Sequence, residues 1–177
     1  LINKNLFRHL YFIDLIKKCI YTNSIMQNQP AHLDQLQKVG TTCTCFHLRK
    51  ASRVVTQIFD EVLQPSGVLV NQFTLLVAVN LAGAIAITHL AQELVMDRTT
   101  LTRNLKPLLR EGLIQVQPGQ DQRVRVVSLT KAGQAALVKA LPLWEVAQAR
   151  VIEQLGREKW SLLLSGLSDT VSVLRHS

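Results

Sequence analysis

A mainly α-helical domain with a small β-hairpin is the fold the sequence predicts, and three observations predict it. Apolar residues recur at helical spacing in separated stretches, as in Leu48, Ala51, Val55, Ile58 and Val62. Two short neighbouring stretches, residues 113–116 and 124–129, have strand-like composition, and a polar Pro-Gly turn joins them. Cap and breaker residues stand where the helical patterns start and stop: Gly67, Gly83, Thr88, Asp97, Gly112, Thr130 and Gly156.

Taken in order, residues 44–63 form a long amphipathic helix, with Arg49, Lys50, Arg53 and Asp60 between its apolar positions. Pro65-Ser66-Gly67 ends it. Residues 71–81 predict a second helix closed by Gly83, and residues 84–87 a short apolar strand. Thr88 is the expected N-cap of a helix running to about residue 94. Asp97 is the expected cap of the next helix, whose apolar face is Leu101, Leu105 and Leu108 and whose exit is Gly112. Pro107 lies inside it and removes one backbone bond, so a slight bend is expected there. The hairpin follows, with residues 117–123 as its polar tip. Thr130 then caps a long helix to about residue 155, Gly156 breaks it, and a last helix carries Trp160, Leu163, Leu164, Leu167, Val171 and Leu174. From residue 84 to 129 this order spells a winged helix-turn-helix.

The first 25 residues differ from the rest. They are rich in Ile, Asn, Lys and Phe and hold both tyrosines, Tyr11 and Tyr21. Met26 then opens an ordinary polar lead. Residues 1–40 are therefore read as an N-terminal extension, with Met26 as the expected native start; a genuine N-terminal helix is the alternative. The folded domain is expected over residues 41–177, with the winged helix-turn-helix at about 70–129.

Composition narrows the function classes. The 177 residues are 47% hydrophobic, enough for a core, and carry a formal net charge of +8. That basic excess favours polyanionic partners, nucleic acid first. Three cysteines, Cys19, Cys43 and Cys45, make no even disulfide framework, so a reducing cytoplasm is the expected compartment. No apolar run reaches the roughly 20 residues that span a bilayer, and no membrane partner is expected. No Gly-rich phosphate loop, metalloprotease helix or nucleophile elbow occurs, and His9, His32, His47, His89 and His176 are scattered without a nucleophile or acidic cluster. The chain is read as no enzyme, with no cofactor and no metal.

The helix after Asp97 divides into two faces. Opposite its leucines lie Thr99, Arg103, Lys106 and Arg110, with Arg98, Thr100 and Thr102 beside them and no acid between Arg98 and Arg110. A helix that reads the major groove of double-stranded DNA needs such a division: one face anchors it, the other offers donors to bases and phosphates. A solvated polar face is the bland reading of the same pattern. At the hairpin tip, Gln122, Arg123 and Arg125 are candidates for the minor groove, and Asp121 is expected to hold an arginine by a charge-assisted bond.

The stretch from Asp121 through Arg123 to Leu129-Thr130-Lys131-Ala132-Gly133 resembles the wing pattern of the MarR family of bacterial regulators, D-x-R, five residues, then L-T-x-x-G. Asp97 to Arg103 and Glu111-Gly112-Leu113-Ile114 are similar to that family's recognition helix and its exit. The resemblance runs from about Thr41 to the C-terminus. It implies a homodimer held by helices at about 44–64 and 130–175, a pseudo-palindromic operator, and repression released by a small aromatic ligand, as in stress responses. The segment Cys45 to Arg53 is similar to the first helix of the organic-hydroperoxide-sensing branch, which implies that Cys45, with Cys43 near, is a redox sensor. Phe59 and Val70 stand where that branch has partner tyrosines, a departure that leaves the thiolate without those donors. A packing cysteine is the bland reading, and a thiophilic metal sensor using Cys43, Cys45 and His47 is the third. A non-specific architectural DNA-binding protein is the alternative to a sequence-specific regulator.

Overall fold

A computed structural model describes residues 30–175; the reading of Met26 and the residues before it lies outside them. Two compact units divide the chain, residues 1–50 and 51–177.

In the first unit, α1 spans Pro30–Thr42 and α2 (Thr44–Leu63) begins. Helix α1 begins inside the stretch assigned to an extension, runs two residues past its end at 40, and was not foreseen as a helix. Its signals are Pro30 at the first helical position and the spacing of Leu33, Leu36 and Val39, of which the last two are exposed. Cys43 interrupts the helical run, and the His47 ring bonds the carbonyl oxygen of Thr41 (3.2 Å).

In the second unit, α2 ends in a 3-10 turn at Gln64–Ser66, closed by Gly67 at φ 84°. Helix α3 (Val70–Ala82) follows, then β1 (Ile85–Ala86), α4 (Ile87–Glu93), α5 (Arg98–Arg110), β2 (Ile114–Pro118), β3 (Arg125–Leu129), α6 (Lys131–Leu155) and α7 (Arg157–Arg175). The fold is mainly helical with one three-stranded antiparallel sheet in the order β1-β3-β2. Ile85 pairs with Val127, and Ile114 to Pro118 pair with Leu129 to Arg125. Strand β2 therefore runs two residues beyond the predicted 116, because Gln117 and Pro118 still have partners on β3.

The core gathers Phe59, Leu63, Phe73, Leu76, Val79, Leu90, Leu101, Leu105, Leu108, Ile114 and Val127. Phe73 of α3 stacks on Trp144 of α6, with centroids 6.3 Å apart. Asp60 of α2 accepts from the N–H of Val70 (2.7 Å), so a side chain from the preceding helix caps α3.

Thr88 is not the N-cap of α4. The cap position is Ala86, with no side-chain bond, and Thr88 is the second helical residue. Pairing of Ala86 with Val126 fixes the backbone there and starts the helix earlier than the threonine signal.

Two helix exits use one backbone motif. At the end of α5, Leu113 N–H bonds Leu108 C=O, Gly112 N–H bonds Leu109 C=O, and Gly112 has φ 69°. At the end of α4, Met96 N–H bonds Ala91 C=O, Val95 N–H bonds Gln92 C=O, and Val95 has φ 52°. The left-handed position is held by glycine in the first and by a β-branched residue in the second, which is strained.

Candidate nucleic-acid interface

Helix α5 is anchored from one side. Leu101, Leu105 and Leu108 are almost wholly buried, each worth about 1.5–3 kcal/mol of transfer free energy. Arg98, Thr99, Thr102, Arg103, Lys106 and Arg110 are exposed, and Thr100 is half-buried. The Thr102 hydroxyl donates back to the Arg98 carbonyl (2.7 Å), which turns it along the helix. Asp97 caps the helix: its Oδ1 accepts from the Thr100 N–H at 2.8 Å. Hydrogen bonds from Thr100, side chain first and backbone second, hold the Asp97 carboxyl below its ordinary value. Pro107 lies beyond the first two turns of α5 and leaves the exit bonds of the helix in place.

The L-T-x-x-G segment locks this helix to the one behind it. Thr130 Oγ1 donates to the Gly112 carbonyl (2.7 Å) and accepts from the Gly133 N–H (3.1 Å), while Thr130 N–H bonds the Leu113 carbonyl (3.1 Å). Any side chain at Gly133 would strike that same Leu113 carbonyl. One threonine and one glycine thus join the exit of α5, the start of β2 and the first turn of α6.

The hairpin tip carries Gln122, Arg123 and Arg125, all exposed. Asp121 does not bind an arginine side chain. Its Oδ1 accepts from the backbone N–H of Arg123 (2.9 Å), and its carbonyl accepts from Val124 N–H (2.9 Å). A two-residue side-chain turn satisfies the carboxylate more cheaply than ordering a long guanidinium in water would. The expected charge-assisted bond is replaced by a bond that shapes the tip. Arg98 of α5, Arg123 and Arg125, with Ile87, Thr88 and Val124, line a cleft of about 80 Å³ between helix and hairpin. The convergence of Arg98 with the hairpin arginines is not readable from spacing, since 25 residues part Arg98 from Arg123 and the β1–β3 pairing brings them together.

Cys43 is half-buried and Cys45 exposed, both as free thiols. Among the described residues no group of three or more His, Cys, Asp or Glu side chains is placed to hold a metal ion. No single described helix is long and apolar enough to cross a membrane.

A polar helix face anchored by leucines, a preceding helix and tight turn, and a hairpin beside it define a winged helix-turn-helix regulator. The MarR family model matches residues 70–124. The M. tuberculosis transcriptional regulator MosR is 37% identical in its structure in complex with DNA, which covers 73% of this chain and 98% of that one at a TM-score of 0.63. A second crystal structure of MosR is 33% identical, covers 77% of this chain and 98% of that one, and has a TM-score of 0.66. A mutant MarR from E. coli complexed with operator DNA shares the fold at 21% identity and a TM-score of 0.68, covering 76% and 97%. An uncharacterized HTH-type transcriptional regulator, YwoH of Bacillus subtilis, is 27% identical over 84 residues, 48% of this chain and 61% of that protein. This chain belongs to the MarR family of transcriptional regulators.

Proposed function

We propose that this protein is a cytoplasmic, sequence-specific DNA-binding regulator that acts as a homodimer and represses its targets. The observation that carries the reading is α5. Leu101, Leu105 and Leu108 are buried, the opposite face offers only neutral and cationic donors, and an arginine-bearing hairpin stands beside it. Arg103 reads a base or an adjacent phosphate in the major groove together with Thr99 and Lys106, and Arg123 reaches the minor groove from the tip. DNA-bound MosR and operator-bound MarR support the partner.

The dimer reading rests on α7. None of its residues is buried, and Leu162, Leu163, Leu164, Leu167, Val171 and Leu174 are exposed along it. A contiguous apolar surface of this kind is uncommon on a monomer. Release from DNA follows binding of a small aromatic ligand or oxidation of a thiol. Exposure of Cys45 in the first turn of α2 supports the thiol route.

Anisotropy titrations on a duplex enriched from a random-sequence pool test the reading. Arg103→Ala should cost about 1–3 kcal/mol per half-site and relax preference at one or two base pairs. Arg123→Ala should weaken binding evenly across core sequences. Full affinity in both variants, with the fold intact, would remove the model; equal affinity for selected and random duplexes would favour an architectural protein. Peroxide should weaken binding in the parent and not in Cys45→Ser.

A further inference from the structure

Three arginines line one cleft, and the carboxylates nearest to them in sequence are committed elsewhere. Arg98 comes from the first turn of α5, Arg125 from the first residue of β3, and Arg123 from the tip. Asp97, next to Arg98, is turned onto the Thr100 N–H. Asp121, two residues from Arg123, is turned onto its backbone N–H. The one ion pair among the described residues joins Arg150 to Glu61, away from the cleft. No acid lines the cleft; Ile87 and Val124 form its apolar wall, and Thr88 adds a hydroxyl. Three cationic residues lining one hollow with no acid among them make a cradle that favours an anion.

We propose that this cleft is a composite phosphate site in which Arg98 and Arg125 clamp a single phosphodiester of the DNA backbone, at the boundary between the groove entered by α5 and that entered by the hairpin. The inference rests on the DNA-binding reading above and adds that two of its arginines act as one unit. Arg98 and Arg125 are set on a helix and a paired strand, so the backbone positions from which they reach the cleft are fixed. Arg123, on the tip, is free to leave for the groove. The clamp fixes the register of α5 and hairpin on the duplex and carries no base information.

Counting of released ions tests it. Each neutralised phosphate contributes about 0.9 to the slope of log affinity against log salt. Arg98→Gln or Arg125→Gln alone should weaken binding several-fold and leave the slope nearly unchanged, because the other arginine still neutralises the phosphate. The double variant should lose about 0.9 per half-site, the share of one phosphate. A loss of about twice that, shared equally by the singles, would mean two independent contacts and overturn the clamp. On the enriched duplex, one methylphosphonate substitution per half-site should abolish the effect of both variants; different positions for the two would overturn it as well. Saturable binding of inorganic phosphate by DNA-free protein, lost in the double variant while its DNA slope is unchanged, would assign the cleft to a free anion and overturn the phosphodiester. Wild-type protein that enriches no duplex overturns both this and the regulator reading, whereas a duplex-binding wild type with an unaltered double-variant slope overturns this alone.

Discussion

Gly133→Ala places one methyl group where the first turn of α6 meets the chain leaving α5. A Cβ at this position would overlap the Leu113 carbonyl oxygen and lie 3.0 Å from both its carbon and Leu129 Cδ2. Even close carbon–oxygen contacts sit at about 3.3–3.6 Å, so the oxygen or the helix must retreat by more than an ångström. The oxygen is not free to do so. It accepts from Thr130 N–H at 3.1 Å, and the next residue, Ile114, is buried and opens β2. The helix is constrained as well, since Ala140 and Ala147 farther along it lie in the core. Overpacking of a tight site costs about 1–3 kcal/mol and more where nothing yields. Alanine returns about 1 kcal/mol of helix propensity. With the upper end of that cost, about 3 kcal/mol, the expected net destabilisation is about 2 kcal/mol, read as a lower midpoint in urea followed by circular dichroism at fixed protein concentration. A loss below about 0.5 kcal/mol would refute the reasoning, because it would mean that Leu113 and α6 part without cost.

Val95→Gly should raise stability by about 1 kcal/mol, since the left-handed strain of a β-branched residue exceeds the entropy glycine adds to the unfolded chain; an unchanged or lower thermal midpoint would contradict it. Because the Asp97 carboxyl is held below its ordinary value, its capping contribution is full above the unfolded-state value and is lost as pH falls through the lowered folded one. Stability of Asp97→Ala should therefore fall less than the parent's on acidification in that window, and Asp97→Asn should keep the cap and lose the pH dependence; identical acid profiles for all three would exclude the mechanism. Truncation after Gly156 removes the exposed leucines of α7 and should yield a monomer or aggregate with little operator affinity in sedimentation and anisotropy; a tight-binding soluble monomer would contradict the dimer reading.

Much of the fold was legible because local signals agree with the tertiary outcome. Asp97 and Thr130 cap the helices they precede, Gly112 takes the left-handed exit, and the period of Leu101, Leu105 and Leu108 matches one buried face. The candidate residues on α5 could be named for the same reason: a helix with one apolar face can present its other residues only outward. Where a local signal competed with sheet pairing, it lost. Thr88 is a good cap by composition, but the Ala86–Val126 pair starts the helix two residues earlier. The expected Asp121–arginine bond gave way to a turn onto the Arg123 N–H, because a backbone donor two residues away is always within reach.

By itself the sequence determined the order of elements, the anchored and open faces of α5 and the basic hairpin, since each depends on residues a few positions apart. Only the tertiary structure decided which distant groups share a surface. Pairing of β1 with β3 carries the hairpin beside the start of α4 and brings Arg123 and Arg125 to Arg98. The Thr130 and Gly133 contacts show why the L-T-x-x-G glycine has no side chain: its helix closes onto the Leu113 carbonyl. Such contacts join residues about twenty or more positions apart, and one-dimensional spacing carries no record of which carbonyl or charge the chain will bring alongside.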